Sequence, residues 1–378
     1  MTGLFLKGMT WHHPRGYDPM VACSKIWQEQ TGVSIEWDKR SLQDFESFPV
    51  EALAKAYDLI VIDHPHVGQI TKENCLLPLD RSDKSIEFDA ISKGSVGQSF
   101  ISYNWQKRQW AFPIDAAAQV QAWRPDLLAN PPKKWREVIE LARKGQVLLP
   151  LLPPHSLMTF FTLTGNLGQP CANDDSPVLI DPNAGNAAFD LMREIVDLVD
   201  PPCFEMDPIA VLERLAKTSA ECCSPFIYGY ANYAVKGFRE NIVAFGDIPS
   251  TNGVNVKGSA LGGTGIAVSA FSKHPAEATD FAYWIAGGEL QSSLYATSGG
   301  QPGHATAWED THVNAATTDF YRATRATLQG AWLRPRHDGY MGFQKAASYR
   351  INDALKAKEK SEPLIADLNR LYRESFVG

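Results

Sequence analysis

The sequence has no run of about eighteen apolar residues, the length a helix needs to cross a bilayer. Its densest apolar stretch, Val147 to Leu152, is short and broken by Pro150. Catalytic signatures are equally scarce. There is no G-x-S-x-G elbow, no Walker A loop and no G-x-G-x-x-G following a strand. Six cysteines occur (Cys23, Cys75, Cys171, Cys203, Cys222 and Cys223), but none has the C-x-x-C spacing of redox or zinc sites. The vicinal Cys222-Cys223 pair is poorly suited to a structural bridge. Cys171 and Cys203, on either side of a proline-rich region, are the pair most open to bridging. Mostly unpaired thiols suit a reducing compartment. Excess positive charge is missing too. Lys and Arg number 36 against 43 Asp and Glu, a net charge of -7, which argues against broad binding to nucleic acid or anionic membranes.

What is present reads as an ordered globular chain. A hydrophobic share of 44% and a charged share of 21% are ordinary, and 378 residues suit two domains better than one. Met1-Thr2-Gly3 leads straight into an apolar segment, with no basic, apolar and small-residue series of the secretory kind. The expectation is a periplasmic protein if a signal peptide has been removed, and a cytoplasmic one otherwise.

The first seventy residues carry the clearest pattern. Leu4 to Lys7 is a short apolar strand, followed by the polar and aromatic cluster Gly8 to Gly16. Asp18-Pro19 predicts a helix start, with Asp18 as N-cap and Pro19 at the first helical position. That helix would bury Met20, Cys23 and Trp27 and stop at Gly32. Val33 to Trp37 is a second strand. Tyr57 to Ile62 is a third, a continuous apolar run suited to a parallel sheet buried on both faces, and it runs into Asp63-His64-Pro65-His66. Ligands of open α/β sheets bind beyond the carboxyl ends of strands, where both clusters fall.

The alternation continues along the chain. Trp110 to Gln119 reads as an extended crossover, Trp135 to Lys144 as a helix closed by Gly145, and Gln146 to Leu152 as a strand. Helices are expected over Ser156 to Asn166, Asn183 to Val199 and Pro208 to Lys217. Strands are expected over Phe226 to Ala231, Ile242 to Phe245 and the segment after Gly262-Gly263-Thr264-Gly265. From Pro275 onward the pattern is mainly helical.

Three segments together carry a family resemblance over nearly the whole length. They are the strand-loop-helix opening, Gln109-Trp110-Ala111-Phe112-Pro113-Ile114-Asp115, and Gly262-Gly263-Thr264-Gly265-Ile266-Ala267-Val268-Ser269 with the following helix bearing Ala276, Ala278, Phe281 and Trp284. In order and spacing they resemble extracellular solute-binding proteins of the family-1, carbohydrate type, the binding components of ABC importers. The resemblance implies an α/β, two-lobed periplasmic-binding-protein fold of type II, each lobe a mainly parallel sheet flanked by helices. Lobe 1 would hold residues 1-113 and 257-308, and lobe 2 residues 114-256 and 309-378. It implies hinge closure on a small solute in an interlobe cleft, no catalysis, no cofactor, a monomer, and ABC-transporter permease subunits as partners.

Candidate ligand-binding residues follow from these placements. Trp11, His12, His13 and Arg15 follow the first strand, where side chains line a cleft or cap the next helix. Asp63 and His64 close the third; Asp63 either accepts paired sugar hydroxyls or caps the following turn. Asp115 and Gln119 lie on the crossover, with an Asx-turn as the plainer reading of the first. Tyr228 and Tyr230, with Tyr233 nearby, face either ligand or core. Gly262 and Gly263 offer close backbone approach or simply a tight turn. Trp332 suits stacking on a pyranose face, while Arg334 and Arg336 suit a carboxylate or phosphate clamp. A sugar or sugar derivative is therefore the expected ligand. An anionic organic or sugar acid, a cytosolic sensor, or a metal-dependent enzyme using His12, His13, Asp63, His64 and His66 are the alternatives.

Overall fold

The computed structural model describes residues 3–41, 50–174, 176–251, 253 and 255–376. Its chain divides into two compact units, each drawn from three separate stretches of sequence. The first holds Met1–Ala116, Gly262–Ala315 and Arg336–Asp338; the second holds Ala117–Leu261, Ala316–Pro335 and Gly339–Gly378. The divisions at Ala116, Leu261 and Ala315 lie a few residues beyond the expected ones. The three-residue return of Arg336–Asp338 has no counterpart in the expected scheme.

In the first unit the Phe5–Trp11 strand lies between Ser34–Arg40 and Leu59–Asp63, parallel to both. Leu59–Asp63 then pairs antiparallel with Leu261–Ser269. Four of its five residues are buried, as the apolar run requires. The opening strand is longer than expected and reaches Trp11. Its following helix also starts earlier, spanning Pro14–Thr31. Asp18 and Pro19 lie inside this helix and do not begin it. The cause is a second start signal five residues upstream. Pro14 occupies the first helical position, where no N–H is needed, and the His13 side chain accepts from the Arg15 N–H. Gly32 ends the helix with φ 77°, a left-handed conformation that glycine adopts without steric cost. Trp27 packs on Phe281 and Trp284 at ring separations of 5.7 and 5.2 Å, fastening this helix to Pro275–Ala286.

The Phe112–Trp123 strand carries the chain from the first unit into the second. Within the second unit it pairs antiparallel with Cys223–Tyr228 and with Ala244–Gly246. This corrects the expectation of a mainly parallel sheet there. Four helices separate Trp123 from Cys223, a connection long enough to return the chain in either direction, so the parallel arrangement is not imposed by topology. The expected strand over Gln146 to Leu152 is absent as well. Only Val147 bridges to Cys223, because Pro150 and Pro153 have no N–H to donate to a ladder. Helices His155–Asn166, Pro182–Val196, Tyr340–Lys356 and Ser361–Glu374 pack against one another around Phe160, Phe189, Phe343 and Tyr372. All six cysteines are buried free thiols, Cys171 and Cys203 included, so no bridge joins that pair.

Candidate functional site

In the first unit, one edge of the sheet gathers the carboxyl ends of Phe5–Trp11 and Leu59–Asp63 and the start of the antiparallel Leu261–Ser269. Trp11 is buried over Gly16, where any Cβ would collide with its indole. His12 is exposed, and its N–H donates to Arg40 O at 2.6 Å. His13 is buried and its Nδ1 accepts from the Arg15 N–H at 3.0 Å, so it caps the helix. Arg15 and Asp115 form a buried ion pair through two donors. Burial pushes the Asp115 carboxyl up, and the Arg15 charge opposes that shift.

Asp63 is half-buried, and its Oδ1 accepts from the His64 N–H at 2.9 Å, so the capping reading of this residue is realised. His64 is fully buried, with its ring edge-on to Tyr103 at 6.3 Å. The Tyr103 hydroxyl donates to Ile62 O and Gly263 O. Gly262 and Gly263 are half-buried, and Gly263 adopts φ 93°, a conformation that favours glycine.

Five candidates fall in the second unit. The Gln119 side chain is enclosed, its Oε1 accepting from Thr162 at 2.6 Å and its amide 3.4 Å from Thr159. Tyr228 lies directly across the ladder from Gln119 and packs its ring against His155 at 6.3 Å. Tyr230 is buried beside Tyr233. Trp332 is buried against Phe161 with its indole N–H donating to Cys171 O at 3.0 Å. It is built into the packing of this unit. Arg334 is buried and donates to Gln344 Oε1 at 3.1 Å.

Arg336 departs from expectation. It is assigned to the first unit, whereas Arg334 belongs to the second. Its Nη1 donates to the carbonyls of Ile101, Ser102 and Asn104, and its guanidinium lies 5.5 Å from the Trp105 ring. Those carbonyls cluster at the end of a helical turn, where a cation is the fitting partner.

Several residues at these places were not singled out by sequence reasoning. Thr264 stands opposite Asp63, visible beforehand only as the variable position of the glycine-rich segment. His155 and Gln344 share the surroundings of Tyr228 and Arg334, on helices whose apolar period alone does not mark them. Burial, reinforced by the Arg334 charge, pulls the His155 imidazole down to about 3. Among the described residues no three His, Cys, Asp or Glu side chains gather closely enough to hold a metal ion. His12, His13, Asp63, His64 and His66 therefore make no ligand set.

Residues 23–318 match the family model described as bacterial extracellular solute-binding protein. The structure is similar to maltose-bound MalE3 of T. maritima, with a TM-score of 0.82 and 16% identity over 98% of this chain and 99% of that one. It is similar to a Thermotoga lettingae ABC-transporter solute-binding protein bound with α-D-tagatose, with a TM-score of 0.81, 13% identity, and coverage of 98% and 99%. An ABC-transporter solute-binding protein from Agrobacterium radiobacter K84, in complex with ribitol, matches with a TM-score of 0.75, 17% identity, and 98% of both chains. At these identities the likeness establishes the two-lobed fold, while the family match rests on the sequence itself. The chain belongs to the bacterial extracellular solute-binding proteins.

Proposed function

We propose that this protein captures a small polyhydroxylated solute, a sugar or sugar derivative, and delivers it to the permease subunits of an ABC importer. The observation that carries the reading is the family match over residues 23–318. It gains support from the polar and aromatic groups at the strand ends of the first unit, where Asp63, Trp11 and the Gly262-Gly263 backbone stand together at one sheet edge. Carboxylates accept hydroxyl donors, and aromatic faces suit the C–H face of a sugar ring. The neighbours named for maltose, tagatose and ribitol point to the same ligand class. The protein acts without catalysis, as a monomer outside the cytoplasm. Its working cycle is a shift towards the solute-bound form, which the importer recognises through differential affinity for the two forms.

A thermal-shift screen over maltose, tagatose, ribitol and a set of organic acids tests this. A solute at a hundredfold its Kd adds about 2.7 kcal/mol to stability, and at least one sugar or polyol should raise the melting temperature accordingly. No response from any neutral compound would overturn the reading.

A further inference from the structure

Among the described residues the Thr264 hydroxyl finds no hydrogen-bond partner. Thr264 is only 7% exposed, and its Oγ1 is buried. A buried hydroxyl left unsatisfied is costly, and native structures leave few such groups without a reason. Valine would fill the same space and pack as well, so the oxygen itself requires an explanation.

Its position supplies one. Thr264 is the direct antiparallel partner of Asp63, and residues opposite each other in a ladder project from the same face, with their Cβ atoms about 5 Å apart. The neighbouring pair, Gly265 and Ile62, projects from the other face, where Tyr103 packs 2.8 Å from the position a Gly265 Cβ would take. The face that carries Asp63 and Thr264 is apolar further along, with Val61 opposite Ile266 and Leu59 opposite Val268, so this pair is its polar end. Beside the polar pair, Gly262 and Gly263 are half-buried and carry no side chains to block approach.

We propose that Asp63 and Thr264 together hold two neighbouring hydroxyls of the solute, so that the protein selects a vicinal diol. The Asp63 carboxylate accepts from one hydroxyl. Threonine Oγ1 both donates and accepts, and so it matches the second hydroxyl, itself a donor and an acceptor. A carboxylate or phosphate on the solute would meet the Asp63 charge at this place, which favours a neutral diol. The inference rests on the proposed capture of a polyhydroxylated solute and adds the chemical group that is recognised.

Calorimetric titration with maltose, tagatose and ribitol tests it on the wild type, Thr264→Val, Thr264→Ser and Asp63→Asn. For whichever of the three binds the wild type, Thr264→Val should weaken binding about tenfold while Thr264→Ser stays within about threefold. The double variant Thr264→Val/Asp63→Asn should lose less than the two single effects combined, as residues sharing one ligand group do. Thr264→Val should melt no lower than the wild type, because it removes an unsatisfied hydroxyl. Unchanged affinity in Thr264→Val would overturn the inference while leaving solute capture intact. Wild-type binding confined to organic acids would overturn it as well. If the wild type binds none of the sugars, polyols or acids, the reading of capture falls and this inference falls with it.

Discussion

Arg15 grips Asp115 through two parallel donors, Nε to Oδ2 at 2.7 Å and Nη2 to Oδ1, with both side chains almost wholly buried. The pair ties the start of the first helix to the strand by which the chain leaves its first unit. Removing one partner strands the other charge in a dry site, which costs about 3–5 kcal/mol. Asp115→Ala should lower stability by that amount in urea denaturation. The double replacement Arg15→Met/Asp115→Leu should recover much of the loss, because no uncompensated charge remains. Equal stability of Asp115→Ala and wild type would show that Arg15 does not depend on this carboxylate.

Asp63 has a structural and a proposed recognition role, and the two separate experimentally. Its Oδ1 caps the turn at His64, a contact worth about 1 kcal/mol. Asp63→Ala should lose that much stability and also weaken sugar or polyol binding by about 1.5–3 kcal/mol, the scale for a charged hydrogen-bond partner. Isothermal titration beside a melting curve reads both. A fall in melting temperature with unchanged affinity would leave Asp63 as a cap alone.

His155 gives the protein an acid sensitivity. Its folded imidazole is held near pH 3 by burial and by Arg334, well below its ordinary value. The buried faces of the Pro182–Val196 and Tyr340–Lys356 helices carry no charged residue, and neither does the Cys223–Tyr228 strand, whose Tyr228 faces it. No carboxylate contributes to the shift. A depressed histidine contributes stability that is complete above its unfolded pKa of about 6.5 and is lost as pH falls towards 3. This group should cost about 1.4 kcal/mol per pH unit below roughly pH 6. Urea midpoints at pH 7.5 and 5 should therefore differ more for the wild type than for His155→Gln.

Arg336 belongs to structure. Its side chain gathers three backbone carbonyls and lies against Trp105. Arg336→Met should cost about 1.5–3 kcal/mol, since it leaves three clustered carbonyls without their charged donor. Solute affinity should stay unchanged. A variant that folds as well as the wild type but binds more weakly would return Arg336 to the ligand.

These residues show what one dimension of sequence carries. Leu59 to Ile62 was legible as a buried strand because an apolar run needs no partner to be recognised. Gly32 was legible as a helix end because backbone conformation is local, while the Trp135–Ala142 helix stops short of Gly145, which still turns left-handed just beyond it. The helix start differs from expectation because two prolines, Pro14 and Pro19, compete five residues apart and only the His13 cap decides between them. The segment from Gln146 to Leu152 differs from expectation because its composition favours a strand that Pro150, with Pro153 just beyond, then prevents. Arg336 was beyond reach, since its carbonyl partners lie more than two hundred residues earlier. Thr264 gains significance only from register, which sets it opposite Asp63 and which no periodicity in either segment reveals.

The return of Arg336–Asp338 to the first unit bears on how the chain acquires its structure. No contiguous segment contains either unit. The first sheet must close a loop of about two hundred residues to bring Asp63 against Thr264, and such distant pairings are slow to form. A chain appearing from its amino end cannot complete its first unit until Arg336 has emerged to seat among the Ile101–Asn104 carbonyls. For most of its emergence it is an unfinished chain, with strand edges unpaired and apolar surface open to whatever machinery handles it.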